Sequence, residues 1–458
     1  MTETVQPDGL RRVLGPWSAA AIVVGTIIGS GIFLVPKSMV ASVGSVPMVF
    51  LVWIAGGLLS LCGALCYAEL SAAMPKAGGE YVYLRESYGP LWGFLCGWTQ
   101  TWVTKSGSIA SMATGFFYYL ANFNQELERV AFLVPLPIGP GGGPLEVRYG
   151  QFMAVAVILL LGWLNFWGAR LGGGVQVFTT AAKVVLLAGI ILIGLGSGRG
   201  SAENLYSSVP AAGGAAGFFI ALVAALWAYD GWNNLSMAAS EIRRPQRNLP
   251  LALLAGTLAV IAVYLAANLA YFYVLPASAV AASDRVAAEM MRRVLGAGGA
   301  GAVSIAAMVS IFAALNGSIL TGARIPFAMA RGGQFFRALG GVNRVHGTPG
   351  PAILMLCVWS SLLVFSGRFE QLFTYVIFAN WVIFTLGAAA VIVLRRKRPD
   401  LPRPYRTPGY PILPGLFALA AASVVVATLI NSPRESLMGL ALILSGLPFY
   451  FYWKRHEL

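Results

Sequence analysis

Three ionisable side chains lie inside otherwise uncharged stretches of this 458-residue chain. They are Lys105 in Trp102-Val-Thr-Lys-Ser106, Lys183 in Thr179-Thr-Ala-Ala-Lys183 and Asp230 in Trp227-Ala-Tyr-Asp-Gly-Trp-Asn-Asn234. On insertion scales a centrally placed Lys or Asp costs roughly 2.5–3.5 kcal/mol, so such groups face a cavity or a partner. Beside them stand two runs that make poor helix. Gly25-Thr26-Ile27-Ile28-Gly29-Ser30-Gly31 carries three glycines in seven residues, and Asp230 is followed by Gly231 and two asparagines. A helix interrupted at such a run exposes amide groups at one end and carbonyls at the other. The amides suit a carboxylate and the carbonyls suit an ammonium, so the pair suits a zwitterion. Plainer readings stand beside this one. Gly25 and Gly29, four apart, also suit a close-packed helix face. The two lysines also suit snorkelling or a structural ion pair, and Trp227, Tyr229 and Trp232 also suit core packing.

The elements that position these residues follow from composition. Hydrophobic residues make up 58% of the chain and charged residues 10%, with a mean hydropathy of +0.74. A soluble domain carries roughly 25% charged residues. Soluble, secreted and disordered classes are excluded, and the chain reads as a polytopic membrane protein. Twelve apolar windows are near the roughly 20 residues that an α-helix needs to span the hydrocarbon layer. They fall at 17–40, 47–70, 91–122, 150–168, 174–197, 213–240, 251–275, 298–322, 350–367, 370–394, 411–431 and 436–453. With an even span count both termini share one side, and 20 of the 31 Lys and Arg residues fall in the loops on that side. The positive-inside rule makes that side cytoplasmic. The net charge of +14 is then a topology signal, and no nucleic-acid partner is expected.

Other chemistries find no support. Away from their ends the spans hold no histidine and one acid, so no metal site or cofactor is expected. No GxxxxGK[ST] or GxSxG run is present, and an enzyme is not expected. All four cysteines fall within spans, which argues against a disulfide framework, and no cleavable signal precedes the first span.

Several motifs in order carry a family resemblance. Gly25-Thr-Ile-Ile-Gly-Ser-Gly-Ile-Phe33 resembles the first-span signature of the amino acid–polyamine–organocation transporters, and Pro75-Lys-Ala-Gly-Gly-Glu-Tyr-Val-Tyr83 is similar to the loop that follows their second span. Trp227–Trp232 with Glu241 and Pro245-Gln-Arg-Asn-Leu-Pro250 resembles the L-type amino acid transporter branch. Arg324–Arg331, Thr348–Pro351 and Arg403–Gly409 extend the match, which covers about residues 12–410.

The resemblance implies an all-α membrane fold of twelve transmembrane helices, a LeuT-type 5+5 inverted repeat plus two extra helices, with the first and sixth broken. Residues 1–16 then form a cytoplasmic segment, 17–197 the first repeat, 213–394 the second, 411–453 the last two spans and 454–458 the cytoplasmic end. It implies substrate binding by Thr26, Ile27, Ile28, Gly29, Ser30, Gly31, Trp227, Ala228, Tyr229, Asp230 and Asn380, with Trp227 as gate, and the mid-span charge of Lys105 adds that residue as a candidate beside them. Lys183 takes the place of a Na⁺ ion and bonds the carbonyls of both broken helices.

The expected function is Na⁺-independent exchange of small neutral L-amino acids by alternating access. The alternatives are a cationic amino acid or polyamine exchanger that uses Asp230, or a proton-coupled symporter. Asp230 either meets a basic substrate side chain or pairs internally, with Lys105 for example. L-type light chains use a loop cysteine to tether a glycoprotein, and the matching loop here, about 121–149, has none, so no disulfide-linked heavy chain is expected. An Ala/Gly-rich composition with short termini points to a bacterial inner membrane.

Overall fold

A computed structural model describes residues 9–135, 144–211, 213–366 and 369–456. The expected terminal segments therefore lie in part outside the described residues, at 1–8 and 457–458. Hydrocarbon offers backbone groups no water, so a spanning segment must satisfy its own hydrogen bonds, and helix does this locally. Among the described residues nine helical stretches are long and apolar enough to cross a membrane, from Pro16–Val43 to Pro433–Arg455. Shorter or interrupted helices occupy the three remaining windows. They are Gly214–Ala228, Gly350–Phe365, and Pro90–Thr99 continuing through a π-helical stretch, Gln100–Lys105, into Ser106–Leu120. The outer faces expose large apolar side chains such as Phe178, Val185 and Leu192, as a lipid-facing belt requires.

The loop between the third and fourth spans departs from an all-helical reading. Strand β1 (Val130–Val134) pairs antiparallel with β2 (Leu145–Arg148). Leu145-Glu-Val-Arg148 alternates buried and exposed, a period of two that the spans lack.

Both suspect helices are broken. The first stops at Ile27 and restarts at Gly31, with Ile28 in an extended conformation. The sixth stops at Ala228, and after a turn over 229–233 resumes only as Asn234–Met237. Gly231 lies in that turn at φ +117°, where a side chain is strained.

Loop contacts sort into two faces. On one, the Leu14 amide donates to Glu241 O at 3.0 Å and the Arg243 amide to Leu14 O at 2.8 Å. Arg395 forks onto Glu69 there at 2.8 and 2.6 Å, and the Thr407 amide joins the same carboxylate at 2.6 Å. On the other, Lys37 meets Asp284, Arg285 meets Asn122, and the Val209 amide donates to Gly44 O.

Arg324, one of the 20 basic residues counted in the loops of the cytoplasmic side, is fully buried. Its guanidinium grips Glu241, equally buried, at 2.7 and 3.1 Å, and also donates to Leu320 O. Removing one member of such a pair strands the other. Arg324→Ala should therefore lower stability by about 3–5 kcal/mol, whereas Arg324→Met combined with Glu241→Leu should cost much less. Thermal unfolding of the detergent-purified variants measures the difference.

Candidate functional site

The two breaks lie against each other. A Cβ on Gly231 would sit 2.9 Å from the Thr26 carbonyl, so only glycine permits this approach. The Thr26 hydroxyl reaches Gly231 O at 2.9 Å and Ile22 O at 2.7 Å. Tyr264, on the helix Pro245–Val274, completes the join. Its hydroxyl lies 3.0 Å from Ile27 O and 2.9 Å from Ala228 O, so one proton serves the carbonyl ends of both interrupted helices.

Beside this join is a cavity of about 800 Å³. Thr26, Ile27, Gly29, Ser30, Gly31, Trp227, Ala228 and Asp230 line it from the breaks, Lys105 from the third span and Asn380 from the tenth. The cavity reaches the surface at Asp284 and Arg285, on the face opposite the Leu14–Glu241 seal. Its volume lies within the usual range for small-molecule sites. At one wall the helix Gly31–Val43 presents the amides of its first turn, which have no partner within the helix. The glycines divide their roles. A Cβ on Gly25 would strike Gln176 of the fifth span at 2.1 Å, whereas Gly29 meets nothing closer than 4.0 Å. Close helix packing therefore explains the first, and the break explains the second.

Two of the expected positions stand off the cavity. Tyr229 turns into the core, its ring against Trp53 and Tyr264 and its hydroxyl donating to Trp53 O at 3.2 Å. Ile28 is fully buried, and its carbonyl accepts from Lys183 at 2.5 Å and from Ser310 at 3.0 Å. Trp232 likewise packs on Tyr67 and Phe384.

Lys183 is fully buried in a ring of carbonyls: Gly25 O at 2.8 Å, Ile28 O at 2.5 Å and Ser310 O at 2.9 Å. This corrects one expectation. The lysine joins the first broken helix to the eighth span rather than to the sixth, and the two breaks are joined by Thr26, Gly231 and Tyr264. The reason is position, since Ser310 of the eighth span stands beside Ile28 and Gly29.

Lys105 closes the π-helical stretch and lines the cavity, where its ammonium donates to Asn234 Oδ1. No ion pair joins it to Asp230. The Asp230 Oδ2 atom accepts from Asn380 at 3.4 Å, and Oδ1 has no partner. The neighbouring Asn233 donates to Glu80 at 2.5 Å, and Glu80 is fully buried. Consecutive asparagines thus tie the turn of the sixth span to a base on one side and an acid on the other.

Sequence reasoning missed Glu80, Tyr264 and Ser310. Glu80 stood in a quoted motif but read as a loop acid. Tyr264 and Ser310 carry no signal, being ordinary residues of apolar helices. The polar cluster Asn165–Asn316–Gln176, linked at 2.8 Å at each step, was equally silent.

At the mouth, the Lys37 ammonium 2.5 Å away holds the Asp284 carboxyl below the usual carboxylate range.

Comparison of the sequence with known proteins finds one family. The family model for amino acid permeases matches residues 14–447. The b(0,+)-type amino acid transporter 1 of Homo sapiens is 35% identical over 451 residues, covering 98% of this chain and 89% of the relative. The serine/threonine exchanger SteT of Bacillus subtilis (strain 168) is 32% identical over 455 residues, 99% of each. The large neutral amino acids transporter small subunit 2 of Homo sapiens is 34% identical over 458 residues, 97% of this chain and 81% of the relative.

Tyr264→Phe removes the shared donor and strands two buried carbonyls. The expected loss is about 1–3 kcal/mol of stability, with a larger fall in transport than at a lipid-facing tyrosine, read by thermal unfolding and uptake. Because the Asp284 shift is downward, its contact with Lys37 holds at neutral pH and is lost as pH falls through the depressed value. A spin label placed at Ser283 should gain mobility below that value, and Asp284→Asn should abolish the step.

Proposed function

We propose a function from one premise: this chain belongs to the amino acid permease family, which is a family of transporters and not of enzymes. The chain is a multi-pass integral membrane protein and carries amino acids. Our reading is that it exchanges small neutral L-amino acids without Na⁺, by alternating access. The observation that carries it is the single cavity shared by two joined helix breaks, with an ammonium already seated in the carbonyl ring beside them. The substrate carboxylate meets the amides at Gly29–Gly31, its ammonium meets carbonyls of the break, and Trp227 covers it. Lys183 supplies the charge that a Na⁺ ion would bring, and leaves no room for one.

In this reading the twelve helices form a five-plus-five inverted repeat, residues 17–197 against 213–394, with two further spans at 411–453. Both termini are cytoplasmic in a bacterial inner membrane, so the cavity faces outward. Reorientation then has to part Leu14 from Glu241 and Arg243, bonds that seal the inner face. All four cysteines lie in helices of the apolar windows and none in the loop at 121–149, which favours a chain that works without a disulfide-linked partner.

A second reading has one observation in its favour. The partnerless Oδ1 of Asp230 points to a cationic substrate side chain.

Purified protein in liposomes preloaded with amino acids tests both. Radiolabelled serine should enter at equal pH and without Na⁺ only when internal amino acid is present, and Lys183→Ala should abolish entry. Uptake restored only by an inward proton gradient would replace exchange with symport. Arginine competing as strongly as alanine, with that competition lost in Asp230→Asn, would establish the cationic reading.

A further inference from the structure

A second hollow, of about 270 Å³, lies on the sealed face, apart from the transport cavity. Three segments build it: the loop after the second span gives Lys76, Tyr81 and Arg85, the turn after the sixth gives Ser240, and the end of the eighth gives Phe327 and Arg331. Three of its lining residues are basic and none is acidic. Two features mark it as built rather than incidental. The Arg85 guanidinium is held over the Tyr81 ring at 5.1 Å and donates to the Tyr81 hydroxyl at 3.1 Å, and that hydroxyl in turn donates to Gln334 at 3.2 Å. Its other terminal nitrogen is 3.4 Å from Glu86, a carboxylate that Arg398 also shares. Ser240 is 2% exposed, and its hydroxyl has no hydrogen-bond partner. An orphan hydroxyl at that depth carries a desolvation cost that a bound acceptor would remove.

We propose that this hollow binds a phosphate group, with Lys76, Arg85 and Arg331 supplying charge and the Ser240 hydroxyl a neutral hydrogen bond. A planar guanidinium with a flanking ammonium matches tetrahedral oxyanions. Free phosphate and the phosphodiester of an anionic lipid headgroup share this chemistry; in the orientation proposed above the cytosol offers the first and the cytoplasmic leaflet the second. The site is assembled by the segments that form the seal: Ser240 adjoins Glu241, and Arg331 ends the helix that Arg324 begins. It goes beyond the transport reading, and its test does not depend on transport.

Thermal unfolding of the full chain provides the test. In dodecylmaltoside, sodium phosphate is compared with sodium chloride at equal ionic strength. In nanodiscs, phosphatidylcholine alone is compared with phosphatidylcholine containing phosphatidylglycerol. The expected result is a saturable rise in Tm in at least one pair. Half-saturation should be weaker by roughly tenfold in Arg85→Gln and by a few-fold in Ser240→Ala. Ser240→Ala breaks no hydrogen bond, so its unfolding in chloride should match the parent and guard against misfolding. A rise with phosphate only identifies a free anion as the source, and a rise with phosphatidylglycerol only identifies the headgroup. No saturable rise in either pair, or a rise equal in both variants and the parent, overturns the site.

Discussion

The close approach of Thr26 to Gly231 is the constraint on which the rest of this structure depends. Interrupting a helix inside a bilayer releases amides and carbonyls that hydrocarbon cannot satisfy. One break would need a partner from elsewhere, and two breaks in contact supply part of each other's needs. The Thr26 hydroxyl reaches Gly231 O, and Tyr264 serves the carbonyls of Ile27 and Ala228. The groups left over face the cavity, so the geometry that makes the irregular backbone tolerable also makes it available to a ligand.

Around this join the chain uses two kinds of fixture. Carbonyls on the hidden side of the first break are held by Lys183 and Ser310, which lock that break to the eighth span. The sixth-span turn is held by its own asparagines against Lys105 and Glu80. One break is thus fixed through its backbone and the other through its side chains. Fully buried, hydrogen-bonded charges are costly to desolvate but strict about geometry.

Much of this was legible in the residues. Charge-free windows located twelve apolar segments because length and polarity decide what can lie in hydrocarbon. Glycine and asparagine located both breaks because they carry local backbone preferences. Partners across the fold left no such trace. Nothing local marks Tyr264 as different from other aromatics on its helix, and Lys183 could be read as an ion substitute without revealing that its third carbonyl belongs to Ser310. Tyr229 misled for the opposite reason: it sits next to the break in sequence, but helical rotation aims its ring at Trp53. The hairpin between the third and fourth spans was hidden by its brevity.

Gly231 combines a left-handed backbone angle with a carbonyl 2.9 Å from where a Cβ would stand. Every codon one base away from a glycine codon that encodes a different amino acid adds at least that carbon. The position therefore has no neighbour in sequence space that keeps both the angle and the contact. Drift can redecorate the cavity one step at a time at Ser108 or Ser111, two third-span residues that line it, whereas residue 231 is a dead end for gradual change. Diversification of the substrate site must proceed around it.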